Sequence, residues 1–138
     1  MTGKIISNPL VPVSPGELID KITILEIKNR RIKASSKLKV IRYELRLLKK
    51  VLNEQFNINN KIKNTVLSEK KKLLSVNKKL WDIENKIRAK EASSDFDNGF
   101  IKLARDVYKT NDKRSEIKNK INQLFGSGIK EIKQYTGY

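Results

Sequence analysis

Residues 14–33 read SPGELIDKITILEIKNRRIK, and this stretch decides the fold class. Ser14 is a helix-capping type, Pro15 suits a first turn where its missing N–H costs nothing, and Glu17 completes a capping-box spacing, so a helix starts here. Over 15–33, Leu18, Ile22, Leu25 and Ile32 fall on one stripe, while Ile19, Ile24 and Ile27 widen it until little surface is left for water. Such a helix has to be surrounded by other elements. It is read as the central helix of an all-α fold.

Outward from it the chain stays helical. Toward the N-terminus, Ile5, Ile6, Leu10, Val11 and Val13 are interrupted by Pro9 and Pro12, which predicts an extended strap over 1–14 lying along the bundle. Toward the C-terminus, Ala34-Ser35-Ser36 reads as a turn with a fresh N-cap. A helix over 36–56 follows, with Leu38, Ile41, Leu45, Leu48 and Leu52 in the rhythm of a coiled-coil seam. Lys39, Arg42, Arg46 and Lys49 repeat one position later as a basic ridge. The Asn- and Lys-rich stretch 57–64 is the expected chain reversal, and a helix over 62–92 carries a second seam at Val66, Leu73, Val76, Leu80, Ile83 and Ile87. The second and third helices are expected to pair. Asp95 and Asp97 suit the start of a fourth helix over 98–125, and Gly126-Ser127-Gly128 stops it before a tail over 126–138. The expectation is a single helical domain over 1–138: an antiparallel four-helix bundle with a long two-helix coiled-coil-like arm and an N-terminal strap.

Composition narrows the chemistry. In 138 residues there is no His and no Cys, which excludes disulfides, thiolate nucleophiles, imidazole bases and nitrogen- or sulfur-ligated zinc. Any metal would sit on oxygen; no cofactor is evident, and Mg²⁺ is the ion such a ligand set would take. Lys and Arg number 31 against 15 Asp and Glu, a net +16 that draws polyanions such as nucleic acid or phosphorylated molecules. The charge is spread, at +3 for 1–35, +6 for 36–64, +3 for 65–95 and +4 for 96–138, so no discrete basic arm stands out. Part of it is the solvated surface of a Lys-rich composition. No apolar run approaches the ~20 residues of a membrane span and the start lacks a secretory signal, so a cytoplasmic protein is expected. A second copy covering the long arm would make a homo-oligomer.

The seam of the fourth helix breaks between Val107 and Ile117, where Thr110, Asn111 and Arg114 stand in apolar places. A guanidinium turned inward needs a carboxylate, so Arg114 predicts an internal partner among Glu17, Asp20, Glu26, Asp82 and Glu84. Two readings compete. One is a buried polar network that fixes helix register. The other is a ligand pocket, with Asp20, Glu26, Trp81, Glu84, Arg88, Asn111, Arg114 and Lys118 as its candidate residues: Arg88, Arg114 and Lys118 would hold an anionic group, and Asp20 or Glu84 would act as base or hold Mg²⁺. Trp81 and Tyr108 are ordinary rim aromatics that could also cover a base or a sugar. No Gly-rich phosphate loop opens a helix.

Three stretches, PVSPGELIDKITILEIK (12–28), LWDIENKIRAKE (80–91) and LARDVYKTNDKRSEIKNKIN (103–122), resemble a family of small uncharacterised bacterial and phage proteins. The resemblance spans most of the chain outside about 35–72. Its characteristic residues fall on Glu17, Asp20, Lys21, Glu26, Lys28, Trp81, Glu84, Arg88, Asn111, Asp112, Arg114 and Lys118, and it implies no activity. Where the family pattern has an acidic pair on the third helix, this chain has Glu84-Asn85, which weakens a two-carboxylate metal site. A looser likeness to all-helical nucleotide pyrophosphohydrolases is analogy only, since the required acidic pairs are incomplete.

The leading expectation is a soluble helical binding protein that takes an anionic partner, nucleic acid or a phosphorylated ligand, without catalysis, along the ridge Lys39, Arg42, Arg46 and Lys49 or at the polar layer. The alternatives are an enzyme or accessory protein acting on a nucleotide or nucleotide sugar between the first, third and fourth helices, and a structural or assembly protein.

Overall fold

Ser14 has extended backbone and its Oγ accepts from the Glu17 N–H at 3.1 Å, which starts α1 (Pro15–Arg31) where the sequence places it. The return half of the capping box is missing, because the Glu17 carboxylate is engaged by Lys118 at 2.6 Å. The computed structural model describes residues 8–138, and their remaining helices are α2 (Ser35–Ile58), α3 (Lys63–Ala92) and α4 (Asn98–Phe125), with one 3₁₀ turn at Asn60–Ile62. There is no strand among the described residues. No helix among the described residues is long and apolar enough to cross a membrane.

The fold is an all-helical bundle, as the patterning predicts. α1 is its centre and packs on each of the other three helices. Leu18, Ile19, Ile22 and Leu25 of α1 join Ile41, Leu45, Leu52 and Phe56 of α2, Val66 and Leu73 of α3 and Ile121 of α4 in one core. Burial of these side chains, each worth about 1.5–3 kcal/mol, is the main favourable term holding the helices together. Phe56 and Phe125 stack at 6.2 Å where α2 and α4 end together.

The helix partners depart from the expected pairing of the second helix with the third. α2 lies against α1, whereas α3 makes its most extensive contact with α4. A heptad-like seam states that a helix has an apolar stripe and leaves open which neighbour fills it. Polar anchors make the choice: α1 runs antiparallel to α4 through Gly16–Asn122 and Asp20–Arg114, and α3 antiparallel to α4 through Glu69–Lys120 at 3.0 Å. Burial pushes the Glu69 carboxyl up, but hydrogen bonds from Lys72 and Lys120 outweigh it and hold it below the ordinary range.

Three local expectations are corrected. The second helix begins at Ser35 with Ala34 at its N-cap and no side-chain capping bond, so the serines lie in its first turn. It also runs on to Ile58, shortening the reversal to the 3₁₀ turn. In the strap, Leu10, Val11 and Val13 are exposed, Leu10 at 97%, so 8–13 does not pack as an apolar strap; Ile5 and Ile6 lie outside the described residues. The fourth helix starts and stops as expected. Asp97 Oδ1 accepts from the Phe100 N–H at 2.9 Å, and Gly126 takes the left-handed conformation (φ 67°) that ends α4.

Candidate functional site

The polar break of α4 faces α1. Arg114 lies side-on to Asp20, donating from Nε to Oδ1 at 2.9 Å and from Nη2 to Oδ2 at 2.5 Å. Asp20 is 1% exposed, so this internal ion pair is the feature that the misplaced Arg114 demands. Asn77 of α3 adds a third donor: its Nδ2 reaches Asp20 Oδ1 and Thr23 Oγ1, both at 2.8 Å, while the Thr23 hydroxyl donates to the Asp20 carbonyl at 2.7 Å. The hydrogen bonds it donates to Asp20, with that carboxylate's charge close by, raise the Arg114 guanidinium above its ordinary value against the opposing effect of burial.

One turn along α4, buried Lys118 sits between Glu17 at 2.6 Å and Glu131 of the C-terminal segment at 2.5 Å, with Asp20 at 3.9 Å. Burial lowers its ammonium, but the carboxylates prevail and the group ends above its ordinary value. A turn further, Asn122 Oδ1 accepts the Gly16 N–H at 2.7 Å. Gly16 is required at this crossing: a Cβ there would stand 2.4 Å from the Lys118 carbonyl oxygen. The Asn122 Nδ2 is buried without a partner among the described residues.

Beside this network lies an open cleft of about 410 Å³ between α1, α3 and α4. Ile24, Ile27 and Leu80 are its apolar surface, Trp81 adds an indole, and Asn77, Glu84, Asn85, Asn111 and Arg114 supply polar groups. Of the residues singled out from sequence, Trp81, Glu84, Asn111 and Arg114 are thus brought together. Asp20 stands behind Arg114. Arg88 is on the outer surface, 79% exposed in a 3.3 Å pair with Glu84, and Lys118 is turned to Glu17 and Glu131. Glu26 is paired with Lys70 of α3 at 2.8 Å, away from the cleft lining. The three cations therefore do not converge on one point. Both Asp20 oxygens are already hydrogen-bonded and buried, which leaves Glu84 as the carboxylate in the cleft. No three carboxylates among the described residues come together as a metal site.

The network also uses residues that sequence reading passed over. Asn77 stands four residues after Leu73 and three before Leu80, so the seam spacing itself puts position 77 inward and Val76 beside it. Glu131 gives no such signal. It arrives because the tail turns back on α4, where Asn119 exchanges 2.9 Å hydrogen bonds with the Glu131 backbone N–H and carbonyl.

The basic ridge lies elsewhere. Lys39, Arg42, Arg46 and Lys49 are all exposed on α2, and Arg42 is steadied by donating to Asn29 Oδ1 at 2.8 Å. Lys39, Arg42 and Arg46 line a shallow concavity of about 520 Å³ with Ser35, Val40 and Tyr43. Tyr43 is half exposed there.

No curated protein and no solved structure shows a significant match to the chain. Residues 10–138 match a family model, and the chain belongs to that family, the family of unknown function DUF6165.

Proposed function

We propose that this protein binds an anionic partner, nucleic acid in the first place, along the exposed face of α2 and without catalysis. The observation that carries the reading is the composition of that face. Lys39, Arg42, Arg46 and Lys49 stand out to solvent, the first three around a concavity that also holds Tyr43, and the neighbouring carboxylate Glu44 is neutralised by Lys21 at 2.9 Å. Closely spaced cations track a phosphate backbone, and an exposed phenol among them offers a surface on which a base stacks. The cleft between α1, α3 and α4 has less to offer a phosphate, because its guanidinium is already matched by Asp20.

The test is a titration of a labelled single-stranded oligonucleotide followed by anisotropy at several salt concentrations. Four neutralised phosphates give a log–log salt slope of about −3, roughly a 50-fold loss between about 50 and 200 mM salt. Arg42→Glu with Arg46→Glu removes binding and leaves the helical content intact. A flat salt response, or binding unchanged in that double variant, overturns the reading. Binding of pyrophosphate but not of the oligonucleotide assigns the ridge to a phosphorylated small molecule instead.

A further inference from the structure

The cleft between α1, α3 and α4 has a different chemistry from the ridge. Its charges are internally matched: Arg114 by Asp20, Glu84 by Arg88, and at its edge Arg31, whose guanidinium lies 5.9 Å from the Trp81 ring centre, by Asp82 at 2.7 Å. Within a chain of net charge +16, this is a locally balanced site. What remains unspent is hydrogen bonding. The Asn111 and Asn85 carboxamides, the indole N–H of Trp81 and Nη1 of Arg114 have no side-chain or backbone partner among the described residues. Asn77 has committed its Nδ2 inward and retains its carbonyl oxygen. These groups are open to solvent, so a ligand that displaces water from the cleft meets free donors and acceptors beside an apolar surface.

We infer that this cleft binds the flat, uncharged ring of a nucleobase. Such a ring has two apolar faces and a polar edge, which suits the surface of Ile24, Ile27, Leu80 and Trp81 bordered by amides and one guanidinium edge. Asn111 and Arg114 are neighbours one turn apart on α4. Both side-chain types pair bidentately with base edges, a carboxamide by one donor and one acceptor and a guanidinium by two donors. The volume accommodates a nucleoside, and matched charges leave nothing in the site that selects for phosphate.

The chain supplies its own reporter, since Trp81 is its single tryptophan. The full-length protein is titrated with adenosine, guanosine, cytidine and uridine while Trp81 fluorescence is followed. At least one nucleoside gives a saturable change whose half-point stays the same between about 50 and 300 mM salt, because no net charge is neutralised. Asn111→Ala and Asn85→Ala each weaken it by about tenfold. Both side chains are partly or wholly exposed and carry no hydrogen bond, so these variants keep the fold, which circular dichroism checks. Three results overturn the inference: no saturable change with any nucleoside at millimolar concentration, equal affinity in both Asn variants, or a response to glucose or to 5′-phosphates alone. The Arg42→Glu and Arg46→Glu double variant separates this site from the ridge: it abolishes oligonucleotide binding and leaves the nucleoside response unchanged.

Discussion

At the scale of single residues, the side-on pair Asp20–Arg114 ties α1 to α4 through a buried carboxylate. Removing the guanidinium leaves a carboxylate that is 1% exposed with only the Asn77 amide and the more distant Lys118 facing it, and breaking a buried pair in this way costs about 3–5 kcal/mol. Arg114→Met is therefore expected to lower unfolding free energy in urea by that amount. Arg114→Lys loses less, because it keeps the charge but not the side-on fork. Equal stability of wild type and Arg114→Met shows that Asp20 is not closed off from water. Gly16 makes a second, independent constraint. A methyl group there meets backbone as well as the Asn122 side chain, so α1 and α4 must separate, and Gly16→Ala costs about 1–3 kcal/mol as an overpacking change. A melting temperature that stays at the wild-type value refutes the close approach. The need for a partner at Arg114 is legible in sequence, since a cation in an apolar register asks for an acid. Which acid answers is not: five carboxylates qualify by type, and α1–α4 packing selects Asp20.

Whole elements show the same division between what a sequence states locally and what only assembly decides. Caps, stops and apolar stripes are local, and Ser14, Asp97 and Gly126 mark the helix ends they announce. Choice of neighbour is non-local, which is why the two seams of α2 and α3 turn to different partners. The tail is the extreme case. Nothing in residues 126–138 announces a docked segment, yet Glu131 closes the Lys118 cluster, Lys133 reaches the Asn111 carbonyl at 3.4 Å, and Tyr138 donates to Asp112 Oδ2 at 2.5 Å while meeting Tyr108 edge to face. The hydrogen bond to Asp112, with the nearby negative charge, pushes the Tyr138 phenol up to about 12. An ultraviolet titration of the 4 tyrosines is expected to show Tyr138 ionising late, and Asp112→Asn is expected to bring it down toward the ordinary 10.0. Identical titration curves for wild type and variant show that the tail is not docked on α4 in solution.

For the molecule as a whole, two electrostatic effects of opposite sign compete. Exposed ion pairs such as Lys21–Glu44 and Lys102–Asp106 are worth at most about 1 kcal/mol each and weaken with salt. Self-repulsion from a net charge of +16 on 138 residues opposes the compact state and is also screened by salt. The buried pairs at Asp20 and Lys118 are screened least, so the balance that salt changes is between surface pairs and global repulsion. With 31 cations against 15 anions, more than half of the cations have no acid to match them, and repulsion dominates. Added sodium chloride is therefore expected to raise the melting temperature at neutral pH. Acid sharpens the effect. Glu69 has its carboxyl below the ordinary 4.5 in the folded state, so its contribution is present above that value and is lost as pH falls through the lower folded value. As the other carboxylates protonate, net charge climbs from +16 toward +31. Stability consequently falls below about pH 4.5, and the salt-induced rise in melting temperature becomes larger at about pH 3.5 than at pH 7. Calorimetry at both pH values across a salt series checks this. A melting temperature that falls with salt at neutral pH shows that surface pairing outweighs repulsion, and it removes the excess charge as a force the fold has to withstand.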